Sequence, residues 1–189
     1  MRLSRRLSSL IIGLTAASIA VAGPALAEII DGTDGDDVLV GTDESDTISG
    51  LGGKDRIRAA GGDDIARGRM GPDRVSGGRG ADILFGGRKA DMIRGKGGSD
   101  SLFGGAGSDT LVSGSSADTV SPGNGPDTVF AGNGDDTVVI AADGSLSDLI
   151  DCGDGVDTVK GQPDALDTFL NCETVLSPTP QGSRQVAGR

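Results

Sequence analysis

The chain has 189 residues and a net charge of −11, with 34 glycines, no histidine, no tryptophan and only 4 phenylalanines. Apolar residues make up 35% of the chain, less than an ordinary globular domain uses to fill its interior. This composition argues against a thick hydrophobic core, so the chain is either unfolded or held together by something else.

The first 27 residues predict a secretory signal peptide. A region with three arginines precedes the apolar stretch LIIGLTAASIAVAG, and the small-residue pattern Ala25-x-Ala27 places cleavage before Glu28. A membrane anchor is disfavoured because the apolar stretch is shorter than the roughly 20 residues that span a bilayer. We therefore expect a secreted, extracellular chain of residues 28–189 with no membrane span. Its net charge would be −14, because three arginines are removed and all 28 acidic residues stay.

Twelve nine-residue units follow one another without insertion or deletion from Gly32 to Val139. Positions in each unit are numbered from one to nine, starting at Gly32. The fourth position is glycine in nine of the twelve units, and the exceptions are Glu44, Lys89 and Ser116. The sixth position is aspartate in all twelve: Asp37, Asp46, Asp55, Asp64, Asp73, Asp82, Asp91, Asp100, Asp109, Asp118, Asp127 and Asp136. The eighth is apolar in all twelve: Leu39, Ile48, Ile57, Ala66, Val75, Leu84, Ile93, Leu102, Leu111, Val120, Val129 and Val138. Such a fixed period indicates stacked structural repeats.

Each unit predicts one turn and one short strand. Positions one to five are rich in glycine and favour a turn with positive φ, and positions seven to nine form a strand. Because side chains alternate across a strand, position eight faces inward and positions seven and nine face outward. Two units make one coil of 18 residues. The sequence therefore predicts an all-β fold, a parallel β-roll (β-solenoid) of about six coils, with a core of one residue per strand.

The column of position-six aspartates predicts a bound cation. Carboxylates stacked at the strand separation of about 4.8 Å repel one another by on the order of 1 kcal/mol per pair even in water. Several Ca²⁺ ions would remove this repulsion, since calcium prefers carboxylate and carbonyl oxygens. The absence of histidine and the presence of only two cysteines leave zinc and copper without their usual ligands.

The repeat, as in GGRGADILF at residues 77–85, resembles the RTX (hemolysin-type) calcium-binding nonapeptide repeat GGxGxDxUx. The resemblance implies that the position-six aspartates and the carbonyls of the glycine turns bind Ca²⁺ between adjacent turns. The implied aspartate ligands are Asp37, Asp46, Asp55, Asp64, Asp73, Asp82, Asp100, Asp109, Asp118, Asp127 and Asp136. The implied turn glycines are Gly53, Gly62, Gly71, Gly80, Gly98, Gly107, Gly125 and Gly134. Lys89 departs from the pattern with an ammonium group, so we expect the sites flanking Asp91 to be weak or empty.

The nine-residue register breaks at Ile140, and residues 140–176 predict a C-terminal cap with degenerate repeats. Cys152 and Cys172 are the only cysteines, and an even pair in a secreted chain favours a disulfide. A metal or redox pair is the alternative. Candidates for a lid over the last apolar layer are Phe169, Leu170 and Val175. Residues 177–189, which contain two prolines, predict a disordered tail.

The outward positions sort into two different faces, because alternate units belong to opposite sheets. One sheet would carry Arg56, Arg58, Arg74 and Arg94, and the other Ile65, Ile83, Phe85 and Phe103. Two interpretations stay open. Either the arginines offset the carboxylates and the apolar residues favour β structure, or the faces bind an anionic polymer and a partner or second copy.

These observations predict a secreted calcium-binding repeat protein that folds on binding extracellular Ca²⁺. The alternative is a calcium-dependent adhesin or surface-assembly protein that binds a cell-surface or matrix partner through the faces of the roll. We expect no nucleic-acid partner. We also expect no enzymatic activity, because the chain lacks histidine, a Gly-x-Ser-x-Gly motif and a metalloprotease motif.

Overall fold

The computed structural model describes residues 18–19, 26–141, 146–176 and 184–186, which form strands and turns. The predicted signal peptide, 1–27, and the predicted tail, 177–189, lie outside these residues apart from 18–19, 26–27 and 184–186. The strands are β1 (Ser18–Ile19), β2 (Ile29–Asp31), β3 (Val38–Val40), β4 (Thr47–Gly52), β5 (Arg56–Gly61), β6 (Ile65–Met70), β7 (Arg74–Arg79), β8 (Ile83–Arg88), β9 (Met92–Gly97), β10 (Ser101–Ala106), β11 (Thr110–Ser115), β12 (Thr119–Asn124), β13 (Thr128–Asn133), β14 (Thr137–Ile140), β15 (Leu149–Asp154), β16 (Thr158–Gly161), β17 (Thr168–Leu170), β18 (Thr174–Leu176) and β19 (Arg184–Val186).

Odd and even strands form two separate parallel sheets. The odd strands make a ten-stranded sheet in the order β1 to β19, and the even strands make a nine-stranded sheet from β2 to β18. Equivalent residues of successive coils pair in register, as Leu39 does with Ile57 and Leu84 with Leu102. The predicted parallel β-solenoid is therefore confirmed.

The solenoid has about eight turns rather than the predicted six, because the segment after Ile140 continues the stack. The offset between partners grows from 18 to 21 residues at the insertion, yet Val129 still pairs with Ile150. Val138 likewise pairs with Val159 in the other sheet. The cap thus extends both sheets and covers the last repeat with further strands.

The strands are longer than the three residues expected from positions seven to nine. Most have six residues and run on through positions one to three of the next unit, as β5 does from Arg56 to Gly61. Position one was expected in the turn, but it lies in the strand and faces inward, as at Ala59 and Ala131, which are fully buried. The core therefore has two residues per strand. The second is small because, at most of these positions, a larger side chain would collide with a neighbouring aspartate, as Gly50 shows for Asp55.

The inward position eight behaves as predicted. All twelve of these side chains are buried, and most of them are completely inaccessible to solvent. They stack into one continuous hydrophobic cluster that runs the length of the repeats and on into the cap at Ile150, Val159 and Phe169. The repeated single apolar residue thus gives a narrow but uninterrupted core.

The predicted disulfide and lid are present at the C-terminal end. Cys152 of β15 and Cys172, which follows β17, form a disulfide with their Cα atoms 5.2 Å apart. Phe169 is buried in the core, and Val175 packs against it. Leu170, the third lid candidate, is only half-buried and lies at an outward position.

The two outer faces carry the side chains that the repeat assigned to them. Arg56 pairs in register with Arg74 on the ten-stranded sheet, and Ile65 pairs with Ile83 on the nine-stranded sheet. Phe85 stacks on Phe103 with ring centroids 4.9 Å apart. The guanidinium of Arg67 lies 5.1 Å from the centre of the Phe85 ring. This stack of cation and rings stabilises the sheet itself, so the two phenylalanines have a structural role.

Candidate metal-binding ladder

The position-six aspartates form a buried ladder along each edge of the solenoid. Each lies between the turn and the following strand, and all twelve are almost fully buried. Oδ1 of each aspartate from Asp55 onward accepts a hydrogen bond from the backbone N–H of the aspartate one coil earlier. The Asp55 N–H donates to Asp73 Oδ1 at 2.8 Å, and the Asp82 N–H donates to Asp100 Oδ1 at 2.8 Å. One oxygen of each carboxylate therefore ties two coils together.

The second oxygen, Oδ2, has no protein partner along most of the ladder. Its buried Oδ2 atoms without a hydrogen bond are those of Asp55, Asp64, Asp73, Asp82, Asp91, Asp100, Asp109, Asp118, Asp136 and Asp157. A buried carboxylate oxygen without a partner is costly, and a regular series of them offers oxygen donors to a metal ion. Repeated hard oxygen donors fit Ca²⁺.

The turns bring backbone groups close to this ladder. The eight predicted turn glycines all have positive φ, between 94° and 150°. A Cβ at Gly71 would collide with the carbonyl oxygen of Gly53 one coil earlier. Glycine at position four is therefore needed for two reasons: it adopts positive φ, and it lets successive turns approach closely.

Two of the departures at position four keep the same turn geometry. Lys89 and Ser116 have φ of 83° and 87°, close to the values of the glycines. The Lys89 side chain is exposed to solvent, and Asp91 is buried like the other members of the ladder. The turn geometry beside Asp91 therefore matches that of the other units, and the expectation of weak or empty sites there stays a prediction.

The first two turns are closed by threonine, a feature that sequence reasoning missed. The Thr33 N–H and Oγ1 both donate to Asp37 Oδ2, at 2.6 and 2.9 Å. Thr42 donates in the same way to Asp46 Oδ2, at 2.6 and 3.1 Å. In these two turns the protein itself supplies hydrogen bonds to the oxygen that has none in most of the turns that follow. The available signal was a threonine at position two in these two units alone.

The ladder also extends beyond the repeats, through residues that the prediction did not include. The Asp127 N–H donates to Asp148 Oδ1 at 2.9 Å, and the Asp136 N–H donates to Asp157 Oδ1 at 2.8 Å. Glu173 ends one edge by accepting from the Asp157 N–H at 2.7 Å. The nine-residue spacing of Asp148 and Asp157, each followed two residues later by a buried apolar side chain, was the available signal.

Burial raises the pKa of the ladder carboxyls well above the ordinary aspartate value. The pKa rises to about 7 for Asp64, where desolvation is the main cause and the carboxylates of Asp82 and Asp46 add to it. It also rises to about 7 for Asp91 and to about 6 for Asp82, again mainly through desolvation. At neutral pH the ladder therefore resists carrying its full negative charge without a counter-ion.

The ladder supplies few carboxylates at any one point. Among the described residues, no group of three or more acidic, cysteine or histidine side chains is arranged to hold a metal ion. A cation between two turns would therefore take carboxylate oxygens from the ladder and complete its shell with backbone carbonyls of the glycine turns, a donor set that suits calcium. No helix in the described part of the chain is long and apolar enough to cross a membrane.

Comparison with known proteins identifies the repeat independently. The family model described as RTX calcium-binding nonapeptide repeat (4 copies) matches residues 31–66, 60–93, 67–101, 85–120 and 116–139. These matches cover the ladder from Asp37 to Asp136, which is more than half of the chain. No curated protein matches the chain.

Proposed function

The chain belongs to the RTX calcium-binding nonapeptide-repeat family and is a calcium-binding repeat protein, and from that premise we propose that it is secreted and folds when it binds extracellular Ca²⁺. The observation that carries this proposal is the column of buried Oδ2 atoms without a partner. A narrow core must order the whole backbone, at roughly 1–2 kcal/mol per residue, and the buried carboxylates add a further cost. Binding of metal to the folded state then contributes directly to the free energy of folding.

The residues assigned to calcium are the ladder carboxylates together with the carbonyls of the turns. The aspartates run from Asp55 to Asp136, with weaker binding expected beside Asp91, and Asp157 is added because its buried Oδ2 forms no hydrogen bond. Bound calcium would neutralise neighbouring carboxylates and link adjacent coils, while the Oδ1 hydrogen bonds hold each carboxylate in position. Asp37 and Asp46 are assigned to turns closed by threonine instead.

Secretion and a non-catalytic role are further parts of this proposal. The signal-peptide pattern of residues 1–27 and the disulfide between Cys152 and Cys172 both support an oxidising, extracellular location. The buried acids of the repeats all belong to the ladder, which supports a binding role rather than acid–base catalysis.

Calcium binding is tested by titrating the calcium-free chain at neutral pH and counting the bound ions by native mass spectrometry. We expect several ions, with affinities of about 10⁻⁴–10⁻³ M, and no equivalent binding of Mg²⁺, which prefers a rigid octahedral shell. Binding of no ions at millimolar calcium would overturn the proposal.

Secretion is tested by expressing the full chain in a secreting bacterial host and sequencing the N-terminus of protein from the medium. We expect the mature protein to begin at Glu28. Retention in the cell with Met1 still present would contradict the secretion proposal and leave the calcium proposal standing.

A further inference from the structure

The outer face of the ten-stranded sheet carries a concentration of positive charge on an otherwise acidic protein. Three neighbouring strands, β5, β7 and β9, present five exposed cations: Arg56, Arg58, Arg74, Arg94 and Lys96. The other outward positions of these strands are Ala60, Ser76, Gly78 and Met92, so no acidic side chain lies among them. We call these five cations the basic face.

The basic face contains a groove. A shallow depression of about 460 Å³ is lined by the five cations together with Val38, Val40, Ser76 and Met92. The outward side chains fall into columns at positions seven and nine, because Arg56 pairs with Arg74 and Arg58 pairs with Ser76 across β5 and β7. These columns follow the solenoid axis over roughly 14 Å between β3 and β9, so guanidinium groups stand on both sides of an axial path.

The cations of the basic face have no partner within the described part of the chain. Two arginines on the opposite sheet have such partners, since Arg69 Nε donates to Ser49 Oγ at 2.7 Å and Arg67 lies over the Phe85 ring. By contrast, the described residues supply no hydrogen bond, ion pair or ring contact to Arg58 or Arg94. The guanidinium groups of Arg58 and Arg94 are therefore available to an external ligand.

We propose that the basic face binds a linear carboxylated polysaccharide lying along the solenoid axis. The guanidinium group suits carboxylate because it offers two parallel donors to the two carboxylate oxygens. A single chain in the groove would meet cations on both sides. A planar anionic membrane would instead approach the acidic turns at the edges of the roll, and like charges would repel it.

A nucleic acid is a poorer fit to the same groove. Proteins that bind single strands combine positive charge with aromatic side chains on which bases stack. The groove lining contains no aromatic residue, and the Phe85–Phe103 stack lies on the opposite sheet. The favoured partner is therefore a polymer that the protein recognises through its negative charges.

The test uses the full chain kept folded in millimolar Ca²⁺ and short oligogalacturonates as the probe in isothermal titration calorimetry, with titration of the probe into the same calcium buffer as the blank. We expect saturable binding that weakens as NaCl is raised. The variant Arg58→Ser/Arg94→Ser should bind on the order of tenfold more weakly, because charge-assisted hydrogen bonds are lost. Arg58→Lys/Arg94→Lys keeps the positive charge but loses the planar guanidinium group. Its affinity should lie between those of the wild-type chain and the serine variant.

A matched control removes two positive charges from the other sheet through Arg88→Ser/Lys160→Ser. It should bind like the wild-type chain, and circular dichroism should show all variants equally folded with calcium. Equal losses in control and groove variants, no binding to oligogalacturonate, or tighter binding to a DNA oligonucleotide would each overturn the proposal. A chain that fails to fold with calcium would instead count against the proposed function.

Discussion

At the scale of single residues, most ladder aspartates use their two oxygens for different purposes. At Asp82, Oδ1 accepts the backbone N–H of Asp64 at 3.0 Å, and the buried Oδ2 forms no hydrogen bond. Because the carboxylate is 1% exposed, its charge needs compensation that water does not supply. The first oxygen therefore links successive coils, and we propose that the second makes the fold dependent on a cation.

Asp82→Asn tests this division directly. Asparagine keeps an oxygen for the Asp64 N–H but removes the charge that attracts calcium. We expect the calcium-loaded protein to lose roughly 1–3 kcal/mol of unfolding free energy. The calcium-free chain at pH 4, where protons neutralise the ladder instead of metal, should lose none, as measured by chemical denaturation. The control Glu44→Gln removes one exposed charge and should change neither value. An equal loss with and without calcium would show that Asp82 acts only through packing.

Thr33 and Thr42 provide the complementary test at the closed turns. Replacing both by glycine removes the hydroxyls that donate to Asp37 and Asp46 Oδ2 and restores the glycine found at position two of many later turns. We expect native mass spectrometry to show additional bound calcium in this double variant. Thr33→Ser/Thr42→Ser, which keeps both hydroxyls, should retain the wild-type count. Identical counts in all three proteins would contradict the assignment of closed turns.

The residues that sequence predicts well are those whose role repeats without variation. The side chain at position eight faces inward in every unit, from Leu39 to Val138. Side chains alternate along a strand, so the one apolar position of each strand must be the inward one. Position one was assigned to the turn because glycine favours turns. The pattern cannot distinguish a glycine needed for positive φ, such as Gly53, from one needed for space beside a carboxylate, such as Gly50.

At the scale of strands and turns, the ladder makes the calcium-free fold sensitive to pH. Burial raises the pKa of Asp55 to about 6 and of Asp91 to about 7 in the folded state, while the unfolded chain keeps the ordinary value near 4. A group whose pKa is raised on folding favours the folded state at low pH. That stability is present below about pH 4 and is lost as the pH rises through about 6–7.

We therefore expect the chain in excess chelator to gain β structure on acidification from pH 7.5 to pH 4. Far-UV circular dichroism measures this change, and calcium at pH 7.5 should produce a similar spectrum. The carboxyls are neutralised by protons in one case and by metal in the other. A chelated chain that is folded at pH 7.5 and unfolds on acidification would show the opposite sign and contradict the desolvation argument.

The cap contributes to stability through its disulfide. Cys152 and Cys172 are 20 residues apart and join β15 to the segment after β17. Cys152→Ser/Cys172→Ser should lower the unfolding free energy of the calcium-loaded protein by about 3 kcal/mol, since the bridge restricts the unfolded chain. Treating the wild-type protein with reductant should give the same loss, and reductant should have no effect on the double variant.

The cap was the element that sequence predicted least completely. The disulfide and the burial of Phe169 followed from residue type, and the structure confirms both. The further turns were missed because three extra residues separate Asp136 from Asp148 relative to the repeat, which hides the register. The structure absorbs this insertion between β14 and β15 and keeps Thr128 paired with Leu149.

At the scale of the whole molecule, the solenoid is a stack in which each turn packs mainly against its neighbours. Its core is continuous but narrow, and its net charge of −11 opposes compaction. Calcium would act on both weaknesses, because it neutralises carboxylates and links adjacent turns. On the proposed function, folding and metal binding at neutral pH are one coupled event, and the basic face forms only when the solenoid folds.

The most direct test of the central claim is far-UV circular dichroism of the mature chain at pH 7.5, recorded in chelator and then with millimolar Ca²⁺. We expect a spectrum of an unfolded chain in chelator, a β spectrum on adding calcium, and full reversal when chelator is restored. Mg²⁺ at the same concentration should leave the chain unfolded. A β spectrum that is identical with chelator and with calcium would contradict the account.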